Sequence, residues 1–510
     1  MIILVPGTVT LADLRLLWSG TPARLAPSAL AAIDGAAACV DRIVASGKTI
    51  YGINTGFGLL AQTRIPAEQL SALQRNLILS HSCGLGEALP RATVRLMIIL
   101  KLIGLGRGHS GVRRAVIEAL QSLLDADAMP LIPSQGSVGA SGDLAPLAHL
   151  VAALMGEGRI DLAGVILPAC EALVQLGREP LELGPKEGLA LINGTQASTA
   201  IALDALFLGE RVVGAALAAG AMAVDALKGS IAPFDPRIHA LRGQPGQIIV
   251  ADRIRTLLEG SEIVTSHHDC DRVQDPYSFR CQPQVMGAAL DLLVNAARTL
   301  TIEANAVTDN PILFSGAVEG GFGDEVISGG NFHAQPVAFA ADLITIALCE
   351  VGSLSERRTS VLVDPSMSRL PAFLTDDGGV NSGLMIPQVT AAALVSENKS
   401  CAFPASVDSI PTSAGQEDHV SMAPIAARKA VRVARNAGGV IAVELIAAAQ
   451  GVDYHAPLQT SPALSQIHRH VRRLSLHLGT DRYWADEMAA LQDAVLAGEF
   501  STDPVLRSDS

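Results

Sequence analysis

Residues 136–143 read GSVGASGD, and their centre, Ala140-Ser141-Gly142, can do chemistry with its own backbone. Three glycines in the seven residues 136–142 leave the chain bare and free to bend sharply. In a sharply bent Ala-Ser-Gly, the Gly142 nitrogen can reach the Ala140 carbonyl carbon and close a five-membered ring. Closure releases one water, and loss of the Ser141 hydroxyl releases a second, leaving an exocyclic methylidene. That product is an electrophile, which no unmodified side chain supplies. Asp143 reads as the N-cap and Pro146 as a first-turn residue of a following helix, DLAPLAHLVAALMGEG. The positive end of that helix would favour negative charge on such a ring. Two commoner readings compete: a phosphate cradle at a helix start, and a plain tight turn. The glycines fall as GxxGxxG rather than GxGxxG, and GxxxxGK[ST] is absent.

Other residue types could serve the same site. Of the four tyrosines, Tyr51 and Tyr277 lie in polar stretches marked by Gly or Pro, not in apolar periodic runs. Tyr51 is therefore a general-base candidate, against a structural, hydrogen-bonded tyrosine. A phenol with a pKa near ~10 needs a nearby cation or helix end for that work. Gln274, Tyr277 and Arg280 are spaced by three and would share one face of a helical turn. Arg280 offers a planar fork for a carboxylate, against an ordinary surface arginine. Asn193, in NGTQAST, can hold a substrate carboxylate or the ring carbonyl. His81 ends a helical pattern at SHSCG, where a lone histidine is more often structural. Glu417 stands in QEDHVSM, at the start of a long helical pattern where acidic residues are favoured anyway. The cluster SHHDC at 266–270 matches no common zinc spacing, so no metal is expected.

The run GSVGASGDLAPLAHL resembles the signature of the aromatic amino acid ammonia-lyases. In that family Ala-Ser-Gly cyclises to methylidene-imidazolone (MIO). YGINTGFG, NGTQAST, QDPYSFRCQPQVMG, ISGGNFH and QEDHVSM agree in the same order, from about residue 51 to about residue 450. The resemblance implies a fumarase/aspartase-like, mainly α fold and a homotetramer whose active sites draw on more than one subunit. It implies MIO from Ala140, Ser141 and Gly142 with no external cofactor, and a small amino acid as substrate. It makes Tyr51 the base for the β-proton, with Tyr277 and Glu417 as catalytic partners. Arg280, Asn193 and Gln274 become substrate-binding residues, and Phe332 the aromatic residue near the ring.

Ser80-His81 resembles the selectivity position of histidine-type members, where tyrosine and phenylalanine types carry His-Leu or Phe-Leu. An imidazole substrate needs polar partners, because a buried unpaired polar group costs ~1–3 kcal/mol. His81 and Glu417 would supply them. The implied reaction is L-histidine to trans-urocanate and ammonia. The alternatives are a tyrosine or phenylalanine lyase, a 2,3-aminomutase, a fumarase-type lyase without MIO, and an inactive helical scaffold. The chain departs from the family's usual pattern at Ser82-Cys83, Pro387 and Gly415.

The elements that must position these residues are read from the rest of the chain. Hydrophobic residues make up 49% of the 510 and aromatics only 3%, so the apolar content is mostly Ala, Leu, Val and Ile. With mean hydropathy +0.35, this favours long, closely packed helices. A net charge of −13 argues against a nucleic-acid footprint. No segment reads as membrane-spanning: the apolar run 197–230 is broken by Asp204, Glu210, Arg211 and Asp225. The start, MIILVPGTVT, lacks the basic region of a signal peptide. Seven scattered cysteines fit a reducing cytoplasm.

Three segments are expected. Residues 1–185 form an N-terminal domain carrying the loop. Residues 186–460 form an elongated bundle with long helical patterns near 196–228, 285–305, 333–357 and 417–450, and 461–510 form a helical tail. Hairpins are expected near 158–167 and between Ile312-Leu313-Phe314 and GDEVIS.

Overall fold

The structure, a computed structural model, describes residues 1–47, 49–50, 52–56, 65–266, 273–315, 324–501 and 505–506. The protein is 62% helical, with 20 α-helices among the described residues, so the fold is mainly α as expected. The strands form small two- or three-stranded sheets. The chain divides into two compact units. The first comprises Met1–Asp204, Ala297–Ala341 and Pro404–Arg428; the second comprises Ala205–Ala296, Asp342–Phe403 and Lys429–Ser510. Four of the five unit boundaries fall inside the long helices Gln196–Leu227, Gln282–Ala304, Gln335–Val363 and Ala423–Asp453, and the fifth, between Phe403 and Pro404, follows the Met385–Cys401 helix.

In the first unit, the Arg91–Gly106 helix is buried at every position from Leu96 to Gly106. An apolar sequence on all faces demands such burial, and Lys101 is the one charged residue within that stretch. The Leu70–His81, Leu144–Leu154 and Glu187–Ile192 helices pack against one another. The ends of these helices carry His81, Asp143 and Asn193. The strand Leu85–Ala88 pairs antiparallel with Pro133–Gln135, Leu85 opposite Gln135. The segment after His81 thus runs beside the entry to the 136–143 loop. Both expected hairpins are present: Arg159–Leu162 with Val165–Pro168, and Ile312–Phe314 with Glu325–Ile327.

In the second unit, close helix approach depends on small residues. A Cβ on Gly209 would lie 3.0 Å from Leu348, and one on Gly451 would lie 2.7 Å from the Ala226 methyl. Arg358 and Glu444 form a fully buried ion pair, completed by the Ser355 hydroxyl on Glu444 at 2.5 Å. Near the end of the Ala423–Asp453 helix, the Asp453 carboxylate accepts from His468 (2.7 Å), His477 (2.8 Å) and Arg472 (2.7 Å).

Two expectations are corrected. Glu417 is not on the long helix, which starts at Ala423. Residues 413–415 all take positive φ, and Pro424 lacks the N–H a helix interior requires, so it fits only a first turn. Gln274 shares no helical turn with Tyr277 and Arg280, because the helix there spans only Tyr277–Arg280. Gln282–Ala304 and Gln335–Val363 are long and apolar enough to cross a membrane by length and composition alone, a test that core helices of a packed protein also meet, and 44% and 67% of their most apolar windows are buried inside the protein.

Candidate active site

The 136–143 loop is clamped from two sides. On one side, Gly142 pairs with Gly194 in a parallel bridge, and Asp143 N–H donates to the Gly194 carbonyl at 2.7 Å. Gly142 has φ +74°, and a Cβ there would lie 2.2 Å from the Gly194 oxygen. No other residue fits that approach. On the other side, Met422 N–H donates to Val138 O (2.9 Å) and the Ser421 hydroxyl to Gly139 O (3.0 Å). Ala140, Val420 and Met422 bury together beneath this seam.

Ser141 is thereby held between two of the candidate side chains. Its hydroxyl donates to Glu417 Oε1 at 2.7 Å. The other Glu417 oxygen accepts from the Thr412 hydroxyl at 2.6 Å, and Thr412 and Glu417 pair as an antiparallel bridge. The tight turn that this bridge closes therefore fixes the carboxylate that sequence reading placed on a helix. Asn193 Nδ2 donates to the Ser141 carbonyl at 2.7 Å, which is the ring-carbonyl alternative of the two expected for it. Because a carbonyl can only accept, the amide orientation is fixed. Asn193 Oδ1 is buried and has no partner among the described residues.

Asp143 stands at the N-cap of the Leu144–Leu154 helix but does not cap it. Its carboxylate instead takes Ser198 N–H (2.6 Å) and the Ser198 hydroxyl (2.9 Å), in the first turn of the neighbouring Gln196–Leu227 helix. Burial pushes its pKa up to about 6, against the lowering effect of those bonds and of Lys101. Lys101 Nζ donates to the Asn193 carbonyl (2.9 Å) and the Ala190 carbonyl (3.2 Å). Burial pushes Lys101 down to about 7; Asp309 and Asp143 oppose this, while Lys186 adds to it. Lys186 itself pairs with Asp309 at 3.1 Å, both buried.

His81, the last residue of its helix, places Nδ1 2.8 Å from the Leu77 carbonyl. A carbonyl partner makes Nδ1 the N–H, so in the neutral ring Nε2 carries the lone pair. Three residues on, Gly84 N–H donates to His149 Nε2 at 3.0 Å, tying this segment to the Leu144–Leu154 helix. Burial lowers the His149 pKa and favours the neutral acceptor that bond requires. The segment bearing Phe332 is tied to the Glu417 segment, because His333 stacks on His419 with ring centroids 5.8 Å apart.

Gln274, Tyr277 and Arg280 belong to the second unit. Tyr277 is 71% exposed, with the Arg280 guanidinium 4.8 Å from its ring centroid. Arg280 Nε is buried without a hydrogen-bond partner among the described residues. Tyr51 lies outside the described residues. Sequence reading missed Lys101, Thr412 and Gly194. A lone lysine in the apolar run MIILKLIGLG is a visible signal; Thr412 and Gly194 carry none beyond proximity to a motif.

The chain is 56% identical over 503 residues to "Histidine ammonia-lyase" of Burkholderia mallei (strain NCTC 10229), covering 98% of each. It superposes with TM-score 0.89 on the crystal structure of histidine ammonia-lyase from Trypanosoma cruzi, at 40% identity over 98% of this chain and 94% of that one. It also superposes with TM-score 0.93 on tyrosine aminomutase from Streptomyces globisporus, at 35% identity over 99% and 100% of the two chains. The aromatic amino acid lyase model matches residues 9–473, and the chain belongs to that family.

Proposed function

We propose that this chain removes ammonia from L-histidine, giving trans-urocanate, through an MIO ring made from Ala140, Ser141 and Gly142. The observation that carries the reading is Ser141 held by Glu417 at its hydroxyl and Asn193 at its carbonyl, in a loop whose Gly142 admits no Cβ. Full-length similarity to histidine ammonia-lyases and the Ser80-His81 pair favour histidine.

The residues present fit the ring. The Ser141 carbonyl oxygen would become the ring carbonyl, and it already has its donor in Asn193. The tripeptide is bent at a positive-φ glycine, and the Leu144–Leu154 helix starts two residues later. Once formed, the ring supplies an electrophile for the substrate amine, which otherwise leaves poorly. The chain's own residues do the rest. Asn193 donates to the oxygen on which negative charge collects. His81 Nε2 accepts from an imidazole N–H of the substrate, and Glu417 faces the same ring once the Ser141 hydroxyl has gone. Arg280 takes the substrate carboxylate, with Gln274 beside it. Tyr51 removes the β-proton, with Tyr277 as partner, and Phe332 lines the pocket. The working form is a homotetramer in the cytoplasm. The scattered cysteines and the exposed apolar residues Ile346, Ile386 and Val389, surface a second copy would cover, support this.

The test is incubation with L-histidine while following the ultraviolet absorbance of a conjugated imidazole acrylate together with ammonia. A rise in both is expected. Turnover of L-tyrosine or L-phenylalanine instead would replace the substrate, and a β-amino acid product would make the protein an aminomutase.

A further inference from the structure

We propose that Lys101 is a positioning residue for this reaction, setting through the Asn193 main chain the amide that grips the Ser141 carbonyl. The proposal rests on the functional reading above and adds a residue that lies outside the substrate pocket described there.

Three observations meet at Lys101. First, it is 1% exposed, in a helix otherwise buried with apolar residues and glycines from Leu96 to Gly106. Burying an ammonium carries a penalty of several kcal/mol, on the order of what a core Leu or Met avoids entirely. Among the described residues no carboxylate stands at ion-pair distance from it, whereas the neighbouring Lys186 has Asp309. Filling space does not account for a lysine retained on those terms. Second, its hydrogen bonds go to the carbonyls of Ala190 and Asn193, at the C-terminal end of the Glu187–Ile192 helix. That end is where a helix presents unpaired carbonyls and partial negative charge, and where a cation is favoured. Third, the residue so held is Asn193, whose side chain makes the 2.7 Å bond to Ser141 O. One residue therefore links the buried Lys101 amine to the Ser141 carbonyl.

Asn193 has little else to fix its side chain, since among the described residues Oδ1 has no partner. Its aim is set by where its backbone sits. Lys101 fixes that backbone from below, while Asp143 N–H fixes the adjoining Gly194 carbonyl.

The experiment uses the full chain. Lys101→Met and the milder Lys101→Gln are each made alone and in an Asn193→Ala background. Leu102→Ala, fully buried on the same helix, is the packing control. Intact mass gives the fraction of chains light by two waters. Turnover of L-histidine is then expressed per matured chain and compared with the thermal midpoint. Alone, the Lys101 variants should lose about 10–100-fold in kcat per matured chain with KM little changed, in keeping with displacement of one oxyanion donor. In the Asn193→Ala background they should cost less than about twofold, since both act through one bond. Leu102→Ala should lower the midpoint while keeping kcat. If the folded Lys101 variant keeps wild-type kcat per matured chain, or if its effect multiplies in full with that of Asn193→Ala, the proposal is wrong. Should Lys101→Met not fold, Lys101→Gln alone decides it. A wild type that shows neither the mass loss nor histidine turnover defeats the functional reading itself, and that result is seen before any Lys101 variant is measured.

Discussion

Ser141 Oγ and Glu417 Oε1, 276 residues apart in the chain, are joined by a 2.7 Å hydrogen bond. The oxygen that ring formation must expel already rests on a carboxylate whose other oxygen is fixed by Thr412. Ser141→Ala keeps the backbone and removes that leaving group. Turnover should fall on the order of 10³-fold or more, about 4 kcal/mol of lost transition-state stabilisation. The two-water mass loss should vanish with the thermal midpoint nearly unchanged. Wild-type turnover in this variant would refute the mechanism.

Asn193→Ala removes the only side-chain donor seen on the Ser141 carbonyl among the described residues. Loss of one such donor in other enzymes costs about 10²–10³ in kcat. A comparable fall is expected, in kcat more than in KM. Steady-state kinetics on a fully matured sample checks it.

Gly194→Ala tests the partner turn without touching the tripeptide. Gly194 has φ +122°, and its Cβ would lie 2.5 Å from Gln196 Oε1 and 2.8 Å from Thr308 Oγ1. Strain of ~1–3 kcal/mol is expected, with a lower midpoint in urea. The matured fraction by intact mass should fall as well, because the Gly142 bridge shifts with it.

Lys101 makes stability depend on pH in a definite direction. Its folded pKa of about 7 lies below the unfolded value of ~10.4, so between the two the folded chain binds fewer protons. The contribution is most favourable above the upper value, declines as pH falls toward 7, and is flat below. Relative to Lys101→Met, wild-type stability should therefore rise between pH ~7 and ~10. Urea midpoints of both proteins across that interval give the slope, and a level difference would contradict it.

Asp453 behaves oppositely. Burial alone would raise its pKa, but the His468 and His477 hydrogen bonds and the Arg472 charge hold it well below the usual carboxylate range. Its contribution is thus present above the unfolded pKa and is lost as pH drops below ~4. Asp453→Asn should melt several degrees lower at neutral pH, and the gap should narrow in acid. Calorimetry at two pH values is enough.

What could be read from sequence was what is local. The Arg91–Gly106 helix and both hairpins follow from periodicity and turn residues within each stretch. The tripeptide proposed to form the ring stands out in sequence because that chemistry needs only three adjacent residues. Relations between distant segments were not legible. Glu417 seemed bound to a helix because its neighbours are helix-compatible, yet three successive positive-φ residues turn it back onto Thr412. Asp143 has the sequence position of a cap, but the donors that satisfy it sit 55 residues on, at Ser198. Lys101 announces itself as a charge among leucines, but its acceptors are main-chain carbonyls, and these carry no mark in any sequence.

The contact between Gly142 and Gly194 limits how portable this chemistry is. An engineer who transplanted Ala-Ser-Gly into another scaffold would bring the reactive atoms and leave behind the surface that folds them. The second glycine, and the helix end that presents it, would have to travel too.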